Sequence, residues 1–315
     1  MRKTHKAQHW IPRSYLASWT DPETPTGYKP YNNLVTKDGR SVKQRAPENL
    51  FTETDFYTII SPDGSRNLQL EHGLRELEQA FATTRRDFLE KRRSIPFIKR
   101  MKLLLFVAAM HARTRVMRDH VAGFFKELKD VGEEIETQMR RTSQTELPKV
   151  RPALPSSCER SMDLTEVKEF AAHPMANMLM PFIAAEAPLL ARMRCVILCT
   201  TDDPGFVTSD APVVWFDPEA YKKPPIFRAA AFNDQKLEIT LPISPNQLLM
   251  FVHGDPTVEY VEVSDSNVSE LNRRTRFYCS EYFIIKRAYL EPHWFNPGVA
   301  PQDSWRNTNR DVDEE

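Results

Sequence analysis

Glycine is scarce. The 315 residues contain nine, and no two stand within three positions of each other. That removes the G-x-G-x-x-G turn and the Walker loop, and with them most phosphate-cradling folds. Cysteine is scarcer still, at four. Four are too few for a disulfide framework in a chain of this size, so a reducing cytoplasm is the expected location. Long apolar runs are missing as well. The longest, residues 103–110, falls far short of the ~20 that span a bilayer, and the mean hydropathy is −0.52. No membrane span is expected. The opening MRKTHKAQHW has no apolar stretch behind its basic residues and does not read as a secretory signal. Net charge is absent too, with 43 basic residues against 43 acidic ones.

What is present suffices for a core. A chain of this length can bury about three-quarters of its unfolded surface. Residues 1–66 read as strands and loops, with an Asp38-Gly39 hairpin signal joining 33–36 to 41–44 and a β-rich run at 56–60. Residues 67–94 predict a helix, because Leu70, Leu74, Leu77, Phe81 and Phe88 keep one buried stripe. A second helix is expected from Pro96 to about residue 131, apolar on nearly every face in its first half. Residues 142–162 read as a loop, followed by an Asp163/Glu166 capping box. Pro174, Pro181 and Pro188 predict kinked or broken helices. Strand chemistry takes over in 192–290, at 195–201, 205–215, 237–243, 248–252, 259–263 and 282–286, with a helix at 267–279. The expected fold is α+β, one domain over 1–290. A helical bundle from 67–190 packs on a mixed or antiparallel sheet, with an N-terminal strand-and-loop segment. Residues 291–315 are expected to form a flexible tail.

Neutrality hides an uneven distribution. Between Arg85 and Arg118 there are eleven basic residues and two acidic ones, a segment of +9. Such a stripe can guide a polyanion, and Arg92, Arg93, Lys99 and Arg100 are its candidate phosphate contacts; a solvated helix face is the plainer alternative. Two further strings stand out. Gln8 to Leu16 gathers His9, Trp10, Arg13 and Tyr15 around Pro12. An imidazole there can exchange a proton near neutral pH. Gly205 to Val214 is an apolar strand interrupted by Thr208-Ser209-Asp210 ahead of Pro212, which implies an edge or a bulge. Cys195 and Cys199 lack C-x-x-C spacing, so a zinc site is not expected.

These strings, with Leu241 to Leu249, are the ones by which the chain resembles the bacterial family called domain of unknown function 4238. The pattern near the start is H-x-x-P-x-x-Y-L-x-x-[FW], here His9, Pro12, Tyr15, Leu16 and Trp19. A long helix with spaced glutamates follows, here Glu71 and Glu78, then an arginine on the next helix, Arg113. F-x-T-S-D-x-P-V is met by Phe206, Thr208, Ser209, Asp210, Pro212 and Val213, and P-[LI]-S-P by Pro242 to Pro245. The resemblance runs from about residue 5 to 287. It implies motif positions and no mechanism.

Two functions are expected from these residues. In the first, the chain is a nucleic-acid-directed hydrolase, a nuclease of defence or toxin type. His9 is general base or acid, and Tyr15 stands in the same site. Asp210 with Glu71 or Glu78 holds a divalent metal such as Mg or Mn, or orients the histidine. Arg113 neutralises phosphate. His9 and Asp210 are then expected in one cleft. In the second, the chain is a non-enzymatic sensor or ligand-binding protein, and the same residues form a pocket or a structural clasp.

Overall fold

A computed structural model describes residues 7–60, 63–142 and 162–296. The chain enters as strand β1 (Ala7–His9). Pro12, extended at φ −61° and ψ 136°, stops it and opens a one-turn helix, α1 (Arg13–Leu16). The hairpin β2 (Asn32–Thr36) and β3 (Val42–Arg45) turns at Asp38-Gly39 as the sequence predicts. Gly39 has φ +76°, and a Cβ there would stand 2.5 Å from the Phe295 ring, so both backbone and space demand glycine. Strand β4 (Thr52–Thr54) returns antiparallel to β1, with His9 opposite Thr52. A short pair, β5 (Ile59–Ile60) and β6 (Arg66–Asn67), leads into the helices.

Helix α2 (Gln69–Thr84) buries Leu74 and Phe81 on the expected stripe. It continues into a π turn at Arg85–Leu89, and Leu89 rather than Phe88 becomes fully buried. The next helix, expected as one, is two: α3 (Phe97–Ala112) and α4 (Arg115–Thr142). The break has two causes. The Thr114 hydroxyl accepts from the backbone N–H of Met117 at 3.2 Å and starts a new helix, while Arg113 turns its side chain into the core. Helix α5 (Leu164–Ala172) carries the predicted capping box: Glu166 N–H donates to Asp163 at 2.8 Å, and Asp163 N–H to Glu166 at 3.2 Å. Helix α6 (Pro174–Leu190) takes Pro174 in its first turn and runs on through Pro181 and Pro188. The interruption in this region falls at His173, ahead of the prolines.

The remaining elements are β7 (Arg194–Cys199), β8 (Thr208–Ser209), β9 (Val214–Phe216), β10 (Glu238–Ser244), β11 (Gln247–Val252), β12 (Val258–Glu262), α7 (Asp265–Tyr278) and β13 (Tyr282–Ile285). Five strands form a mixed sheet in the order β12-β7-β11-β10-β9, with only β12 and β7 parallel. Four form an antiparallel sheet, β3-β2-β13-β8, which joins the N-terminal hairpin to the end of the fold. The single strand expected over 205–215 is therefore divided. Its halves belong to different sheets, and Asp210, Ala211 and Pro212 make the corner between them. One buried apolar cluster links Trp10, Tyr15 and Trp19 to Phe81 of α2, Phe106 of α3, Leu179 of α6 and Ile197, Leu241 and Leu249 of the mixed sheet. The fold is α+β, helices packed on a sheet. Within 291–296, assigned by composition to a tail, Trp294 is fully buried and meets Phe283 edge-on. The rest of that tail and loop residues 143–161 lie outside the described residues.

Candidate functional site

The N-terminal segment is held by its aromatic residues. Tyr15 and Trp19, four apart, are both fully buried with ring centroids 5.0 Å apart. The Tyr15 hydroxyl donates to the Pro242 carbonyl at 2.6 Å. Its single proton is thereby committed, so the Thr208 hydroxyl, also at 2.6 Å, donates to it. Trp19 Nε1 donates to the Phe206 carbonyl at 2.8 Å. Burial pushes the Tyr15 phenol well above its ordinary pKa of 10, so it does not trade protons near neutrality. Gly205, at φ +73°, lies so close to the Pro245 carbonyl that a Cβ would stand 2.1 Å from it. The three marked strings thus meet one another, and Tyr15 fastens them.

Asp210 is equally committed. Its carboxylate accepts from the backbone N–H groups of Ser280 at 2.7 Å, Glu281 at 2.7 Å and Tyr282 at 3.0 Å. Its own N–H donates to Tyr282 O at 3.1 Å. Burial raises the carboxyl pKa above its ordinary value, against the downward pull of the three donors. This side chain fixes the turn between α7 and β13. It lines a cavity of about 410 Å³ together with Trp10, Arg45, Arg115 and Asp119.

His9 faces elsewhere. On β1, Gln8 points inward and uses every polar atom. Its amide donates to Thr58 and to Glu71, each at 2.7 Å, and its carbonyl accepts from Tyr57 N–H at 2.7 Å. His9, the next residue, lines together with Gln8 a cavity of about 860 Å³ that Arg13, Ser14, Glu71, His72, Arg75 and Glu78 also line. Burial lowers the His9 pKa below 6.5, and Arg113 pushes the same way. The Glu48 and Pro47 carbonyls and the Glu78 carboxylate pull upward less strongly. The imidazole is therefore neutral at pH 7. Its Nε2 is buried and has no hydrogen-bond partner among the described residues, and the same holds for Ser14 Oγ.

Of the residues singled out by sequence, the structure brings His9, Glu71 and Glu78 to one cavity and carries Tyr15 and Asp210 away from it. The common cleft expected for His9 and Asp210 is not formed: the two line different cavities. Asp210, Glu71 and Glu78 do not assemble as a ligand set, since Asp210 is spent on backbone donors. Among the described residues no group of three His, Cys, Asp or Glu side chains is placed to hold a metal. Arg113, 1% exposed, donates from Nη1 to Glu78 at 2.8 Å. It stands behind the glutamate, with no surface to offer a phosphate. Arg92 pairs with Glu262, and Arg100 donates to the Pro256 carbonyl at 2.8 Å; Arg93 is exposed and Lys99 half-buried. All four lie beyond the far end of α2, at least ~15 Å along its axis from Glu78. Gln8, Ser14, His72 and Arg75 escaped the sequence reading. The signal for Arg75 was present, because Glu71, Arg75 and Glu78 are spaced four and three apart along one helix row.

Comparison with known proteins adds the following. Residues 7–288 match the family described as protein of unknown function (DUF4238). No curated protein and no solved structure matches the chain.

Proposed function

This chain belongs to the DUF4238 family, a description that carries no chemistry, and from its polar cavity we propose a hydrolase acting on nucleic acid, with His9 as general base. The observation that carries the reading is the buried, unpartnered Nε2 of a histidine held neutral at pH 7. A neutral imidazole with an open lone pair can take a proton from an attacking hydroxyl or water. Glu71 and Glu78 supply the negative charge that would steady the imidazolium once formed. Arg13 and Arg75, both exposed on the same cavity, are the cations that a phosphate would meet on entry. A cytoplasmic setting belongs to the same proposal; Cys195, Cys199 and Cys279 are free thiols.

A second reading has its own observation. His9 Nε2 and Ser14 Oγ, both on the cavity, have unmet hydrogen-bonding capacity. A tightly held ligand would meet it without any reaction, which makes the cavity a sensor or binding pocket. One experiment separates the two. End-labelled single-stranded RNA and DNA are incubated with the protein, with Mg²⁺, with Mn²⁺ and with chelator. Cleavage by the native chain that falls by about 10²–10⁴ in His9→Gln supports the hydrolase. Saturable binding without cleavage supports the pocket. Neither binding nor cleavage removes nucleic acid as the substrate class.

A further inference from the structure

The apolar stripe of α2 is only partly used by the core. Leu70, Gly73, Leu74 and Leu77 keep steps of three and four residues and so share one face. Leu74 is buried, Leu70 and Leu77 are half-buried, and Gly73 is exposed. This face lines a groove of about 460 Å³. Met180 and Ile183 of α6 line it as well, and α3, which packs against both α2 and α6, adds Leu105. Leu105 and Met180 are 37 and 55% exposed, so the groove opens to water. Among the described residues no charged side chain lines it. The Tyr57 hydroxyl donates to the His9 carbonyl at 3.4 Å. The other polar groups, the side-chain amides of Asn67 and Gln69, stand at one end, where α2 begins. Tyr57 and Leu74 also line the His9 cavity, so the two spaces share a wall and differ in character.

We propose that this groove binds an aliphatic chain carrying an uncharged, hydrogen-bonding head. Size excludes a helix from a partner or a second copy. From Leu70 to Leu77 the groove follows α2 for about 10 Å, which leaves a cross-section of roughly 45 Å² against the ~80–110 Å² of a helix 10–12 Å across. A volume of this order with an apolar lining and polar groups at one end is the form of a small-molecule pocket. Gly73 argues for an occupant independently. Glycine is the poorest helix former after proline, and this one stands inside α2. A Cβ there would meet nothing within 4 Å, and the backbone is helical, so nothing in the protein itself requires glycine. The space it leaves belongs to the groove. Charge selects the head. An ionised group would find no counter-charge on this lining, whereas a hydroxyl can exchange hydrogen bonds with the Asn67 and Gln69 amides.

The test uses the full chain and 1-decanol, followed by titration calorimetry at several temperatures. The native chain should bind the alcohol saturably, with a heat of binding that grows more negative on warming, as burial of apolar surface requires. Decanoate, the same chain with an ionised head, should bind at least about ten-fold more weakly. Gly73→Leu fills the groove with a better helix former and should abolish binding without lowering the melting temperature. Met180→Glu places a charge at the exposed rim and should weaken binding by about ten-fold or more, with folding unchanged. A native chain that takes up no decanol to the solubility limit overturns the proposal. Binding that survives both substitutions also overturns it, because the alcohol then sits elsewhere. Equal affinity for decanoate overturns the assignment of the head. A native dimer that Met180→Glu dissociates would give the groove to a second copy and overturn the proposal as well.

Discussion

His9 sits where burial favours its neutral form, and this has a consequence in solution. Well above pH 6.5 the folded and unfolded chains both hold it neutral, and it contributes no pH dependence. As pH falls through 6.5 the unfolded chain takes up a proton that the folded chain resists, so stability falls from about that value downward. The melting temperature should therefore decline between pH 7 and 5 more steeply in the native chain than in His9→Gln. Equal slopes in the two proteins would contradict the assignment. Asp210 predicts the opposite kind of variant. Asp210→Ala strands three backbone N–H groups, of Ser280, Glu281 and Tyr282. It should cost about 2–3 kcal/mol and several degrees of melting temperature. Tyr15→Phe leaves the Pro242 carbonyl and the Thr208 hydroxyl without their shared partner and should cost about 1–2 kcal/mol by denaturant titration. An unchanged midpoint in either variant would show that these bonds are not structural.

Local elements were legible where their signals are local. The Asp38-Gly39 hairpin and the Asp163/Glu166 capping box each depend on a few neighbouring residues, and each formed as read. The break at Arg113 was not legible. The apolar pattern runs across it, and what draws Arg113 inward is Glu78, 35 positions earlier in the chain. Thr114 was the faint local clue, a capping residue inside an apparently continuous helix. Its hydroxyl holds the Met117 N–H, so Thr114→Ala should lower stability by about 1 kcal/mol. A denaturation midpoint equal to that of the native chain would instead mean that Arg113 alone sets the break. The division of 205–215 between two sheets has the same origin. Pro212 announces an interruption, but the strands that receive each half, β13 and β10, lie far away in sequence.

At the scale of the whole molecule, the sequence pointed to the right special residues more readily than to their tasks. Asp210 binds backbone donors, and backbone N–H groups leave no mark in a sequence, so its role as a clasp could not be read there. Tyr15 and Trp19 likewise find carbonyls at Pro242 and Phe206, about two hundred positions on. The cavity beneath the N-terminal segment is assembled from β1, α1 and α2, and its advance notice in the sequence was His9, Glu71 and Glu78, far apart along the chain. The proposal is a division of labour, with His9 as the general base of that cavity and Asp210 and Tyr15 as holders of the fold. It is tested most directly by phosphodiester cleavage rates of native chain, His9→Gln and Asp210→Ala, each scaled to the fraction folded. The account predicts a rate near zero for His9→Gln in a chain as stable as the native one at pH 7.5, and a near-native rate per folded molecule for the less stable Asp210→Ala. Loss of activity in a fully folded fraction of Asp210→Ala, or native activity in His9→Gln, would contradict it.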